Sequence, residues 1–170
     1  MLLNSTSKSW FAIQTCPRYE KKVADDLKQK EFEVFLPLVA SRRQWSDRKR
    51  IVYFPLFSSY IFAQIPGTIE HRIAILQTKG VRGFVGVRGA PVPIPESEIE
   101  AVRSLLRVGE SFEVHPFLNV GQRVRIRGGS LTGVQGIVVK KNQDLSLVIS
   151  IEVIQRSVSL KLVGYEVEAA

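Results

Sequence analysis

The chain has 170 residues, 45% of them apolar, enough to build one domain or two small ones, which excludes a disordered polymer. Its net charge of +8 and isoelectric point near 9.9 point toward an anionic partner, nucleic acid or a machine that holds it. The single cysteine, Cys16, excludes an intrachain disulfide framework and a cysteine-based zinc site.

The opening Met1–Lys8 has no long apolar stretch of the signal-peptide kind, and no later run approaches the length of a membrane span, so a cytoplasmic protein is expected. Ser9–Gln14 reads as a first strand. Pro17 suits the first turn of a helix, where its missing donor costs nothing. Over Tyr19–Lys30, Tyr19, Val23, Ala24 and Leu27 share one helical face. Phe32–Leu38 reads as a second strand that stops near Pro37. The segment 40–50 sets Arg42, Arg43, Arg48, Lys49 and Arg50 against one acid, Asp47, and reads as an exposed connection with Trp45 in its middle.

Ile51–Ala63 holds five of the thirteen Phe and Tyr residues and should be extended. Pro55 removes a backbone donor, so this strand should lie at an edge or break there. Composition favours packing these rings inside; the alternative is that some stay exposed as a docking pocket beside the cations. Pro66-Gly67 marks a turn, and Ile69, Ile73 and Leu76 recur at helical spacing over Thr68–Leu76. Val81–Val87 reads as a turn with a short strand, and Pro91–Pro95 as extended chain. A last helix begins at Pro95 or Ser97, carries Ile99, Val102, Leu105 and Leu106 on its apolar face, and ends before Gly109.

Residues 110–119 show no helical pattern and read as a linker. Beyond them lie β-branched runs at 122–127, 136–140, 145–151 and 158–162, separated by glycines and by Asn142-Gln143-Asp144, which predicts a small, strongly bent all-β domain. Arg123, Arg125 and Arg127 alternate along the first of these runs and should form an exposed basic ridge. Basic residues outnumber acidic ones 17 to 11 through residue 110 and 7 to 5 after it, so the charge belongs mainly to the first part. Catalytic chemistry finds no support. Cys16 could be a nucleophile, but only His71 and His115 could serve it as bases, and neither paired carboxylates nor a phosphate loop is present. Neither a cofactor nor a metal is expected.

Several stretches resemble the NusG family in one unbroken order from Trp10 to Val167. Trp10-Phe11-Ala12-Ile13-Gln14, followed by Pro17–Val23, looks like the opening of the NusG N-terminal domain. Pro55-Leu56-Phe57-Ser58-Ser59-Tyr60-Ile61-Phe62 resembles the family's Phe-Pro-Gly-Tyr-Val-Phe stretch, with Ser58-Ser59 in place of Pro-Gly. Gly80–Gly86 and Pro91–Pro95 match later landmarks. Val120–Ile126 followed by Gly133–Val138 is similar to a KOW motif.

The resemblance implies an α+β fold. An antiparallel-sheet N-terminal domain with flanking helices would span 1–109, a linker 110–119, and a small all-β, SH3-like KOW barrel 120–170. It implies a monomeric, non-enzymatic transcription elongation and antitermination factor. The first domain would bind the clamp helices of RNA polymerase through Tyr53, Phe54, Leu56, Phe57 and Tyr60, with Phe57 at the pocket position, and reach the gate loop through Gln77 and Thr78. Arg42, Arg43, Lys49, Arg50, His71 and Arg72 would follow displaced single-stranded non-template DNA. Leu131, Val134 and Ile154 stand where housekeeping members often carry aromatics. With the Pro55-Leu56-Phe57 run, this looks more like the RfaH-like and polysaccharide-operon antiterminators. At those three positions the KOW domain would meet its partner, a small-subunit ribosomal protein rather than Rho. Because KOW barrels also occur in ribosomal proteins, a ribosome-associated or RNA-binding module is the alternative.

Overall fold

The computed structural model describes residues 7–45, 48–108, 112–116, 121–141, 144–161 and 166–170. The chain divides into two compact units, Met1–Pro95 and Glu96–Ala170.

In the first unit, β1 (Lys8–Thr15), β2 (Glu33–Phe35), β5 (Tyr60–Pro66) and β6 (Val81–Phe84) form a four-stranded antiparallel sheet in the order β2-β5-β1-β6. The helix α1 (Glu20–Gln29) buries Val23, Ala24 and Leu27, the apolar positions its spacing predicts. Val23 and Leu27 join Phe11, Ile13, Ile61, Ala63 and Ile65 in the core, and Phe84 meets Phe11 edge-on at 6.1 Å. The expected long strand over 51–63 is broken: β4 (Arg48–Pro55) ends at the proline, and a turn separates it from β5. Among the described residues β4 pairs only with β3 (Leu38–Trp45), along the whole length of both, as a two-stranded ribbon. Residues 40–45 and 48–50 are therefore strand and not a loose connection. The strand expected over 32–38 divides at Leu36-Pro37, giving β2 to the sheet and the start of β3 to the ribbon.

The helix α2 (Ile69–Leu76) buries only Ile75 fully, so Ile69, Ile73 and Leu76, whose spacing marked the helix, lie on its exposed side. The short strands β7 (Gly86–Val87) and β8 (Ala90–Pro91) pair with each other, and Ile94 bridges to Trp10. Gly80 has φ +95°, and a Cβ there would stand 2.5 Å from the Tyr19 ring, so only glycine fits where its carbonyl accepts the Cys16 N–H at 2.8 Å.

In the second unit, α3 (Glu96–Val108) buries Ile99, Ala101, Val102 and Leu105. It lies against β12 (Asp144–Ile151), so it groups with the strands that follow it and not with the residues before Pro95. The six-stranded antiparallel sheet runs β14 (Glu166–Ala169), β10 (Gln122–Arg127), β11 (Gln135–Lys141), β12, β13 (Arg156–Lys161), β9 (Phe112–Pro116). Part of the expected linker is thus a strand: β9 pairs with β13 from Phe112↔Leu160 to Pro116↔Arg156. The rest of 110–119 lies outside the described residues, as do Asn142 and Gln143 of the expected hairpin. Alternation along β10 buries Val124 and Ile126 and exposes Arg123, Arg125 and Arg127. On the neighbouring strand Glu168 and Glu166 stand in register with Arg125 and Arg127.

Candidate functional site

The aromatic stretch is divided by a tight turn. The Tyr60 N–H donates to the Phe57 carbonyl at 3.2 Å, and Ser59 adopts φ +66° at the third turn position. Ser58 has no positive φ, so this is a type II turn, the geometry that Pro-Gly supplies in the family pattern. Ser59 is held from two sides. Its N–H donates to Glu20 Oε1 at 2.8 Å, and its carbonyl accepts the Thr15 N–H at 2.9 Å. Glu20 is buried on the first turn of α1 for this contact.

The same turn swings Leu56 and Phe57 inward. Phe57 is only 2% exposed and meets Phe62 edge-on at 6.1 Å, and the Leu56 N–H donates to the Pro37 carbonyl at 2.8 Å. Phe57 is therefore a core ring and not the exposed pocket ring expected from its position; once β4 stops at Pro55, the chain must fold back to start β5. Phe54 and Tyr60 are half-buried. Tyr53 is 53% exposed and Ile51 59%, on the same side of β4. Lys21 Nζ donates to the Tyr53 carbonyl at 2.7 Å and ties the ribbon to α1.

Gln77 is exposed, but Thr78 is buried and closes the C-terminal end of α2. Its hydroxyl donates to the Ala74 carbonyl at 3.1 Å and accepts from Lys30 Nζ at 2.8 Å; Lys30 also reaches the Ala74 carbonyl at 3.2 Å. A cation there complements the negative end of the helix dipole. Thr78 is thus a structural residue and not a free contact.

Of the expected nucleic-acid residues, Lys49 and Arg50 are exposed on β4, together with Arg48. The register sets Arg42 opposite Ile51 and Arg43 opposite Arg50; the side chains of Arg42 and Arg43 lie outside the described residues. His71 and Arg72 are half-buried on α2, away from this run in sequence. His71 Nδ1 is paired with the Thr68 hydroxyl and its ring meets Phe32 edge-on at 6.0 Å. The cleft beside it mixes Lys8 and Lys30 with Glu31, Glu33 and Glu70, which cancels attraction for a polyanion. At the first turn of α2, Glu70 is held below the usual carboxylate range by its own backbone N–H and the Thr68 hydroxyl.

Leu131, Val134 and Ile154 do not form a surface patch. All three are buried. The Gly133 N–H and the Val134 carbonyl both bond Ile126, which folds the loop after β10 back on its own strand and carries Leu131 and Val134 inward. Ile154 is buried in a 3-10 turn (Glu152–Ile154) after β12. Aliphatic residues in loops this short have the core as the nearest apolar surroundings.

Sequence reasoning missed the exposed side of α2, where Ile69, Ile73 and Leu76 form an apolar stripe. Their periodicity revealed the helix but read as its buried face. Among the described residues, no cluster of three or more His, Cys, Asp or Glu could hold a metal, and no helix is long and apolar enough to cross a membrane.

Comparison with known proteins bears on the same framework. A relative from Lactococcus lactis subsp. lactis (strain IL1403), "Transcription termination/antitermination protein NusG", is 29% identical over 179 residues, covering 98% of this chain and 95% of that protein. A protein of the same description from Streptococcus pyogenes serotype M3 is 28% identical over 163 residues, covering 88% and 90%. Among solved structures, "Domain interaction in Thermotoga maritima NusG" is similar in fold, with a TM-score of 0.55 at 23% identity, covering 96% of this chain and 98% of that one. Residues 8–103 match the model of the family described as "Transcription termination factor nusG". That match takes in β1 through most of α3, more than half of the sequence, and by it the chain belongs to the NusG family.

Proposed function

We propose that this protein is a non-enzymatic transcription elongation and antitermination factor of the cytoplasm, a monomer that binds the clamp helices of RNA polymerase through its first unit. The observation that carries this reading is the exposed pair Tyr53 and Ile51 on a ribbon anchored by the Lys21 contact. Large apolar side chains held open on a braced strand are what an interface anchor requires. The exposed cations Lys49 and Arg50 serve DNA held by the polymerase.

The second unit acts as a KOW-type, SH3-like module that brings a further partner to the elongating enzyme. With Leu131, Val134 and Ile154 in the core, a partner that selects exposed rings finds none at those positions. A small-subunit ribosomal protein pairing along a strand edge uses backbone hydrogen bonds and does not need that patch. The protein is therefore a specialised, RfaH-like antiterminator that does not recruit Rho. The alternative of a directly RNA-binding module is less favoured, because the excess of positive charge lies mainly before residue 110.

The test is transcription with purified RNA polymerase and Rho on a long template. Added protein should leave Rho-dependent ends unchanged or shift transcripts to greater length. Shortened transcripts would remove the antiterminator assignment and leave polymerase binding standing.

A further inference from the structure

In the second unit β12 and β13 are buried on both sides. Residues directly opposite across a strand pair share a side. Leu147↔Leu160 and Ile149↔Val158 lie on one side, which the register carries through Val138 to the side of Val124: this is the aliphatic interior. Val148↔Ser159 and Ser150↔Ser157 lie on the other side, with Ser146 and, through Ile137, Arg123. Ser146, Val148, Ser157 and Ser159 are buried there, while Arg123 is exposed. The cover is α3, which lies against β12 and whose Glu98 meets the Arg123 charge. Its buried residues Ile99, Val102 and Leu105 thus belong to a helix resting on a side rich in hydroxyls. Hydroxyls bond water once uncovered, so losing α3 costs the sheet less than opening its aliphatic interior. The family match ends at residue 103, inside α3, whereas packing gives the whole helix to the second unit.

Glu98 stands in the first turn of α3, half-buried, with Oε2 lacking a partner among the described residues. Two groups face it from the elements packed against α3. One is Glu152 of the 3-10 turn, whose backbone N–H donates to it and whose charge repels it; the other is Arg123 of β10. On its own helix Glu96 is exposed and Glu100 is paired with Arg103 at 2.6 Å. We propose that α3 is a proton-operated latch on the second unit: it stays docked while Glu98 holds a proton and lets go when Glu98 ionises, baring the serine-lined side of β12 and β13. Burial, aided by the Glu152 charge, holds the docked carboxyl up at about 7, against 4.5 in open solvent. Docking is therefore fully favoured below 4.5 and weakens as pH rises through about 7. Between about pH 6 and about pH 8 the release constant rises on the order of tenfold. Thirteen residues without a partner surface make a marginal helix in water, so released α3 frays, while β11, β12 and β13 keep their ladders. The latch does not depend on the proposed function.

The experiment is amide hydrogen exchange of the full chain, read by mass spectrometry at about pH 6 and about pH 8 and corrected for the intrinsic pH dependence of exchange. Protection of the α3 amides should fall on the order of tenfold between the two, while β12 and β13 keep theirs. Glu98→Gln, which cannot ionise, should leave α3 equally protected at both. Glu100→Gln, on the same helix, should retain the wild-type fall. Glu152→Gln removes a charge that opposes ionised Glu98 and should shrink the fall without altering α3, which keeps the test open if the Glu98 variant folds poorly. The proposal is overturned if α3 protection in the wild type does not change with pH, or if the fall survives Glu98→Gln or Glu152→Gln undiminished. It is equally overturned if the fall vanishes in Glu100→Gln, or if β12 and β13 lose protection in step with α3, which would be unfolding of the whole unit.

Discussion

Ser59 occupies a left-handed conformation that costs an L-residue roughly 1–2 kcal/mol. Glu20 and Thr15 hold it there. Ser59→Gly should therefore raise stability by up to about 1 kcal/mol, and Glu20→Ala, which strips the partner from a half-buried N–H, should lower it by about 1–3 kcal/mol. Urea unfolding followed by circular dichroism measures both; a destabilising Ser59→Gly would mean that the serine side chain carries the turn. Phe57 is also decided at this scale. Its burial predicts a loss of about 3–5 kcal/mol for Phe57→Ala, a core truncation. An equally stable variant with weakened polymerase binding would restore Phe57 as a surface anchor. Residue identity made Pro55 legible as a break, but not the direction of the ring after it, because that direction follows from a turn two residues downstream.

Elements were legible where one side is buried and one is wet. α1 and β10 carry that pattern openly, and their limits match the apolar periods; β1 was legible instead as a short apolar run, Trp10–Ile13, buried on both sides. The outer ribbon, 40–45 and 48–50, did not read as strand; Arg48, Lys49 and Arg50 are all exposed and show no alternation. β9 and β14 escaped for another reason: each is short, four or five residues, and pairs only at the border of its sheet. α2 was legible as a helix but not in its orientation, which the single buried Ile75 sets.

A pH effect also belongs at the element scale, where α3 lies against β12. Glu98 sits half-buried on α3 with Oε2 lacking a partner among the described residues. Burial pushes its carboxyl up from 4.5 to about 7; the Glu152 backbone N–H and the Arg123 charge oppose this, and the Glu152 charge adds to it. The unfolded chain releases the proton near 4.5 while the folded one keeps it to about 7. The folded state thus holds more protons across that window, and stability falls as pH rises through it. Glu98→Gln should flatten this part of the profile and raise the melting temperature at about pH 8 relative to wild type. Parallel profiles for the two proteins would show that Glu98 does not carry the effect.

For the whole molecule, two units, an excess of positive charge before residue 110 and an apolar pair on a braced ribbon are consistent with a protein that binds a large assembly. Charge balance and the order of elements were readable from composition and periodicity. The division at Pro95 was not, since α3 has an apolar face that suits either neighbour and only its packing on β12 assigns it. The central claim is that the first unit binds RNA polymerase through the exposed side of the ribbon. The most direct measurement is a titration of fluorescently labelled full chain with purified RNA polymerase, for wild type and Tyr53→Ala. A saturable complex is predicted for wild type, weakened in the variant by about 1–3 kcal/mol, roughly five- to 150-fold in Kd. Equal affinity for the two proteins, or no complex with the wild type, would contradict it.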